Sequence, residues 1–258
     1  MSRPLALFPA QRDQVILAAL RDAGRVDAAQ VASELGVTGE TVRKDLVRLE
    51  RRGLLRRVHG GAVPAADPTF EPRVSDRTGF AAEKQRIARA ALEHLPMRGA
   101  VLLDAGSTTG ALAELFPPGR ALEVFTNTLP IALTLLGRPG VTVHTLGGRL
   151  RALTSAEVGP LADRALRELN VDVAFLGTNG ISLDRGLTTP DPEEAATKQL
   201  MLAAARRRVL LADHSKFGLV SLCKYADLRD VDLLVTDAGL PDDQLAALAA
   251  AGLPTERA

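Results

Sequence analysis

Two groups of residues in this chain have types and spacings suited to binding. The first runs from Thr41 to Gly61, Thr-Val-Arg-Lys-Asp-Leu-Val-Arg-Leu-Glu-Arg-Arg-Gly-Leu-Leu-Arg-Arg-Val-His-Gly-Gly. Between Arg43 and Arg57 it holds seven Lys or Arg against Asp45 and Glu50, a local balance of +5 in a protein of formal net charge +1. Val42, Leu46 and Leu49 recur at i, i+4 and i+7, the spacing of one helical face. Thr41, Lys44, Arg48 and Arg51 fall on the opposite face. One side of this helix packs, and the other suits a polyanion.

The second group is a series of small polar segments, each just after an apolar run. They are Asp104-Ala-Gly-Ser-Thr-Thr-Gly110, Thr126-Asn127, Gly147-Gly148, Thr178-Asn179-Gly180 and Asp213-His-Ser-Lys-Phe217. In the first, Gly106 and its small neighbours let backbone N–H groups and the hydroxyls of Ser107, Thr108 and Thr109 surround an anion at a helix N-terminus. The segment has neither the Gly-Lys-Ser/Thr of a nucleotide P-loop nor a Gly-x-Gly-x-x-Gly fingerprint. It suits one phosphate better than a nucleoside triphosphate.

Periodicity indicates which elements position these groups. Gln11–Ala23 reads as a helix with Val15, Ile16 and Leu20 inward and Gly24 as its stop. Asp27 caps a second helix through Leu35. Gly36-Val37-Thr38 is a tight turn, with Thr38 as N-cap of the basic helix. Two helices, a short turn and a basic amphipathic helix make a helix-turn-helix, whose second helix enters the major groove. Leu54–Val63 reads as two short strands turning at Gly60-Gly61, a wing on which Arg56, Arg57 and His59 reach phosphates or a minor groove. Asp45 and Glu50 are better partners for Arg48 and for Arg51 or Arg52 than for bases.

Pro64-Ala-Ala-Asp-Pro-Thr-Phe-Glu-Pro72 carries three prolines in nine residues, which marks a boundary. The expected division is a winged helix-turn-helix at 1–63, a linker at 64–81 and a second domain at 82–258. In the latter a helix runs from Ala82 to about Leu95. Strands are expected at 100–104, 122–126, 141–146, 171–177, 208–213 and 231–236, with helices near 108–115, 129–136, 159–168, 192–206 and 241–250. Continuous Val/Leu strands alternating with helices indicate an α/β fold with a Rossmann-like, mostly parallel sheet covered on both faces. Ligands of such sheets bind beyond the carboxyl ends of the strands, where the small polar segments lie.

Both halves carry a family resemblance. Gln30-Val-Ala-Ser-Glu-Leu-Gly-Val-Thr38, Thr41-Val-Arg-Lys-Asp-Leu46, Leu49-Glu50 and Arg57-Val-His-Gly-Gly-Ala62 resemble the DNA-binding domain of DeoR-type bacterial repressors. That family's recognition helix opens Ser-x-x-Thr-Ile-Arg-Arg-Asp-Leu. This chain has Thr38 for the Ser, Val42 for the Ile and Lys44 for the second Arg, and Lys lacks the bidentate fork of Arg. Thr41 and Arg43 match and are the first candidates for base contact. Asp104–Thr109, Thr126-Asn127, Gly147-Gly148, Gly177–Ile181, Gly186–Thr189, Glu194–Lys198 and Asp213–Gly218 resemble the family's sensor domain, whose fold is similar to ribose-5-phosphate isomerase. Glu71–Arg77 resembles the short arm leading into that sensor.

The resemblance implies a phosphorylated sugar or related metabolite as effector. On that analogy Ser107, Thr108 and Thr109 take phosphate or substrate oxygens, while Lys198 and Lys216 add positive charge. Asp104 and Asp213 accept from sugar hydroxyls or orient the lysines. Lys198 has the alternative of an exposed helix position.

Composition bounds the rest. Residues 1–60 are net +4 and the remainder net −3, a basic module before a mildly acidic one. One cysteine, Cys223, offers no internal disulfide and no metal-ligand spacing. The N-terminal apolar run is short for a signal peptide, and no stretch approaches the ~20 apolar residues of a membrane span. A cytoplasmic protein without cofactor or metal is expected, binding double-stranded operator DNA as a homodimer or higher even oligomer. The leading expectation is a ligand-released transcriptional repressor. The alternatives are a sugar-phosphate isomerase or deaminase carrying a DNA-binding domain, and an activator; no His or Glu among the strand-end residues stands out as a general base.

Overall fold

The computed structural model describes residues 7–51, 54–58, 60–64, 68–69 and 71–258. The chain divides into two compact units, Met1–Asp67 and Pro68–Ala258.

The first unit contains α1 (Pro9–Ala23), β1 (Val26–Asp27), α2 (Ala28–Leu35), α3 (Gly39–Arg51), β2 (Leu55–Val58) and β3 (Gly61–Pro64). The caps are local chemistry. Gly24 and Gly36 end α1 and α2 in left-handed conformations, and Asp27 accepts the N–H groups of Ala29 and Gln30 at 2.9 and 3.0 Å. Thr38 Oγ1 accepts the N–H of Thr41 at 3.2 Å. Val42, Leu46 and Leu49 are buried with Ile16, Leu20, Val31 and Leu55 in one apolar core.

The wing has three strands where the sequence indicates two, because Val26–Asp27 pairs antiparallel with β3. Gly61 makes this possible: a Cβ there would sit 1.8 Å from the Val26 carbonyl oxygen. Two residues are too short for a strand to show a periodicity, which is why the segment reads as a link.

Asp45 is the polar anchor of this unit. It is buried on α3 and accepts Arg12 of α1 at 2.6 and 3.1 Å and Arg48 at 2.7 Å. Arg48 also donates to Asp13 at 2.5 Å, so α1 and α3 are laced together by two arginines and two aspartates. Burial opposes the charged carboxylate, but the bonds from Arg12 and Arg48 outweigh it and hold Asp45 below its usual range.

The second unit contains α4 (Ala81–Ala91), β4 (Arg98–Leu103), α5 (Ser107–Glu114), β5 (Ala121–Thr126), α6 (Leu129–Leu135), β6 (Val141–Thr145), β7 (Arg149–Leu150), β8 (Glu157–Val158), α7 (Pro160–Arg167), β9 (Val171–Leu176), β10 (Gly180–Ser182) and β11 (Gly186–Thr189). It continues with α8 (Pro192–Ala203), β12 (Ala205–Leu211), β13 (Cys223–Ala226), β14 (Leu233–Thr236), α9 (Asp242–Ala250) and β15 (Thr255–Arg257).

Seven strands form one sheet in the order β15-β14-β12-β9-β4-β5-β6, and every neighbouring pair is parallel. Alternate residues serve opposite faces. Leu102, Ala174, Leu210 and Leu234 join α7, α8 and α9 in one core; Val101, Leu103, Phe175, Leu211 and Val235 join α4, α5 and α6 in the other. The six strands read from the sequence are all in this sheet. The seventh, β15, is short and polar. A separate antiparallel sheet β10-β11-β13 and the β7–β8 pair are further additions; β10 and β11 come from Gly-Ile-Ser and Gly-Leu-Thr-Thr, and β7 and β8 are two residues each, too short to show a period.

The order reverses at β4. Successive strands run outward through β5 and β6 on one side, and β9 lies on the other. This is the switch point where open α/β sheets leave a crevice.

Asp45→Asn should destabilise the first unit by about 1–3 kcal/mol after allowing for the half-exposed Arg48, read by calorimetry of the full-length protein as a lowered transition temperature. Because the folded pKa is depressed, Asp45's contribution is complete above the ordinary carboxylate range and fades as pH falls through the folded value. The gap between wild type and variant should therefore close in acid; a gap constant with pH would show that Asp45's charge is not what holds α1 to α3.

Candidate functional site

The basic face of the first unit is more differentiated than its charge suggests. Arg43 and Lys44 are exposed on the first half of α3, with the Arg43 side chain 73% exposed and only a 3.7 Å approach to Glu40. Thr41 is half-buried, and its hydroxyl lies 2.9 Å from that of Thr38. Arg48 lies on the same face but is engaged by Asp13 and Asp45. Arg57 on the wing donates its backbone N–H and its Nε to Glu50 at 2.8 and 2.6 Å, so it ties β2 to α3. Glu50 thus takes a wing partner, while Arg52 and the side chain of Arg51 lie outside the described residues. Arg56 is half-buried on β2. The side chain of Arg51 and all of His59 lie outside the described residues.

In the second unit β12, β9, β4, β5 and β6 are consecutive in the sheet. The five polar segments that follow these strands therefore come out side by side, although the sequence scatters them over more than a hundred residues. At their centre, beyond β4 and β9, Asp104 and Lys198 form a buried ion pair. Lys198 Nζ donates to Asp104 Oδ2 and, at 3.1 Å, to the Gly177 carbonyl, while the Gly177 N–H donates to Asp104 Oδ2 at 3.0 Å. Lys198 is only 4% exposed, which removes the exposed-helix alternative. Burial works against its charge most strongly, but Asp104, Tyr225 and Glu194 together outweigh it and keep the ammonium above its ordinary pKa. Tyr225 stands beside it, its ring centroid 5.7 Å from Nζ and its hydroxyl 3.3 Å from the Gly177 oxygen. Burial pushes that phenol up to about 12.

The other polar groups divide between those that can meet a ligand and those that hold loops. Ser107 opens α5 and is half-buried, beside the buried Thr108. Thr109 donates to the Gly106 carbonyl at 3.1 Å. Asn127 accepts the Ala105 N–H at 2.9 Å and braces the same loop. Thr126 donates to the Leu103 carbonyl at 2.8 Å, and Thr178 to the carbonyls of Gly180 and Thr188, so both hydroxyls are used inside the scaffold. Asn179 accepts Thr189 at 3.1 Å. Gly180 is a packing requirement, since a Cβ would lie 2.4 Å from the Leu219 oxygen. Gly147 donates to Glu157 at 2.7 Å, and Gly148 is exposed. Asp213 is buried and accepts the Ser215 N–H at 3.1 Å and its hydroxyl; Lys216 is half-buried in the same turn.

Sequence reasoning missed Lys84. It is buried on α4, donates to the Arg77 carbonyl at 2.7 Å, and lies close enough to Asp213 and Lys216 for both to act on it. Burial, the largest influence, lowers its pKa despite the pull of Asp213. Its signal was a lysine on the stripe of Ile87, Ala88 and Ala91, where an apolar residue would ordinarily stand. Also missed was Arg151, which carries Glu71, Asp191 and Glu194 around one guanidinium. Among the described residues there is no cluster of His, Cys, Asp and Glu able to hold a metal ion, and no helix is long and apolar enough to cross a membrane.

Residues 80–238 match the DeoR C terminal sensor domain, and residues 12–66 match the DeoR-like helix-turn-helix domain. The HTH-type transcriptional regulator GlpR of Haloferax volcanii is 36% identical over 248 residues, spanning 96% of this chain and 97% of its own.

The chain belongs to the DeoR family.

A putative aga operon transcriptional repressor of Escherichia coli O157:H7 is 34% identical over 246 residues, covering 94% of this chain and 91% of that one. Ribose 5-phosphate isomerase A of Neisseria gonorrhoeae superposes over 53% of each chain with a TM-score of 0.38 at 16% identity, a likeness that says nothing of ligand or reaction. This DeoR-family protein is a DNA-binding transcriptional regulator.

The Asp104–Lys198 pair makes a quantitative prediction. Lys198→Met alone leaves a buried carboxylate without its partner and should cost about 3–5 kcal/mol in urea denaturation. The double variant Asp104→Asn/Lys198→Met should recover most of that loss. Additive losses in the double variant would show that the two groups are not a coupled pair.

Proposed function

We propose that this regulator is a repressor that holds operator DNA through α3 and the wing and is released by a phosphorylated sugar bound beyond the carboxyl ends of β4, β5, β9 and β12. The observation that carries the effector half is the buried Lys198 beside the hydroxyl-rich Asp104–Gly110 loop, with Lys84 and Lys216 near Asp213. Lys198 and a helix N-terminus at the sheet's switch point, with Lys84 and Lys216 beside the end of β12, are suited to a small anion. The repressor sense is supported by the relative named a putative aga operon transcriptional repressor.

On the DNA side, Arg43 and Lys44 are, among the described residues, the exposed cations of α3 and are assigned to the major groove, with Thr38 and Thr41 setting the helix entry. Arg56, Arg57 and the outer edge of Arg48 are assigned to phosphates, together with Arg51 and His59. Helix-turn-helix proteins dock as dimers on half-sites about one helical turn apart, so a homodimer or higher even oligomer acting in the cytoplasm follows from the same reading. A ligand can release the operator only if it binds the two states with different affinity.

Fluorescence anisotropy with operator fragments tests the first half. The logarithm of the affinity should fall linearly with log[salt], and Lys44→Ala should reduce the slope by about 1 if it neutralises one phosphate, or leave it unchanged if it reads a base. Arg43→Ala should flatten the preference at one base pair by about 1–3 kcal/mol. Uniform weakening across all sequences would assign Arg43 to the backbone instead.

For the effector, a thermal-shift screen of pentose and hexose phosphates should find one that raises Tm with concentration, as a stabilisation of RT ln(1 + [L]/Kd) requires. Ser107→Ala with Lys216→Ala should abolish that shift and retain operator binding. A double variant still fully released by the sugar phosphate would move the site elsewhere.

A further inference from the structure

The segment that joins the sensor to the preceding unit is fixed to the pocket by charge rather than by apolar packing. None of residues 71–77 belongs to either apolar core of the second unit. Glu71 is buried, accepting Arg77 on one oxygen and Arg151 on the other, each at 2.8 Å. The Val74 N–H donates to the Leu153 carbonyl at 2.8 Å, and Lys84 reaches the Arg77 carbonyl. Val74 also lines a cleft of about 110 Å³ together with Gly106, Thr128 and Thr154, so the segment borders the Asp104–Gly110 loop.

Arg151 links this arm to α8. Its guanidinium lies against Glu71, against Asp191 at 3.1 Å and against Glu194. Asp191 caps α8, accepting the N–H groups of Glu193 and Glu194, and Thr154 donates to Glu194 at 2.5 Å. Glu194 and Lys198 are one turn apart on α8, about 6 Å along its axis, and Glu194 acts electrostatically on both Lys198 and Asp104. Three carboxylates gather around Arg151, with Arg77 as the second cation. Such a balance responds to charge arriving at Lys198, because ionic interactions in a low-dielectric interior are strong and short of alternatives.

We propose that the Glu71–Arg151–Asp191–Glu194 cluster couples occupancy of the strand-end pocket to the arm that leads back to the DNA-binding unit. The inference rests on the sensor function proposed above. An anion drawn to Lys198 changes the field at Glu194, Glu194 and Glu71 share Arg151, and the arm's hold on the sensor changes with it.

Amide hydrogen exchange read by mass spectrometry on the full-length protein tests this, with a peptide covering residues 71–77 and a reference peptide in β6. The pocket is perturbed without ligand by Asp104→Asn/Lys198→Met, and separately by millimolar inorganic phosphate. The double variant should change exchange in 71–77 by at least about fivefold, the lower end of common coupling strengths, and leave β6 unchanged. In an Arg151→Gln background that response should vanish. If Arg151→Gln does not fold, Glu71→Gln removes the arm's charge while keeping its shape. An arm indifferent to the double variant, or one responding equally without Arg151 or Glu71's charge, would overturn the coupling. Phosphate that fails to protect residues 104–110 would count against the anion pocket instead, while the double variant still decides the coupling.

Discussion

The buried pair of Asp104 and Lys198 is the constraint on which the sensor half of this protein depends. Each charge costs several kcal/mol to remove from water, and the pair is tolerable only when its remaining donors and acceptors are satisfied. Gly177 supplies both, its N–H to the carboxylate and its carbonyl to the ammonium. The ends of β4 and β9 and the rotation of α8 are thereby set against one another. Tyr225 is held in the same knot by its hydroxyl and its ring. The outcome is a positive group fixed at the switch point of the sheet, where strand direction already leaves a crevice.

Polar ties of a different kind build the DNA-binding unit. Asp45 in the middle of α3 takes two arginines, one from α1 and one from α3 itself. Arg57 and Glu50 clamp the wing to the recognition helix. Part of the basic charge that marks this region is therefore spent on orienting α3, and the exposed Arg43 and Lys44 are carried on a helix held at several points. A rigid support matters here, since reading base edges requires side chains positioned to within hydrogen-bond tolerance.

Much of this is legible in the amino-acid sequence. The caps at Asp27 and Thr38, the inward face of Val42, Leu46 and Leu49, and six of the seven parallel strands follow from spacing within a few residues. The polar segments after five strands were recognisable for the same reason. What each polar residue does was less legible. Thr126 and Thr178 look like Thr108 in sequence, yet their hydroxyls close the scaffold's own hydrogen bonds. Arg48 looks like Lys44, yet it answers aspartates on two helices. Lys84, Arg151 and Glu71 are not legible as site residues, because the partners that place them there, Asp213 for Lys84 and Glu71 and Glu194 for Arg151, lie far along the chain.

Local pattern thus determined the winged helix-turn-helix, the alternating α/β domain, the charge asymmetry and the family. Periodicity and capping depend on neighbours within a turn or a strand, so one dimension is enough to display them. Only the tertiary structure decided the strand order, with β9 inserted beside β4, the three-stranded wing, and the side-by-side meeting of five distant loops. It also decided which charges face solvent and which neutralise one another. Those outcomes depend on contacts between segments dozens of residues apart, where burial raises the cost of any unpaired charge and so selects the partner.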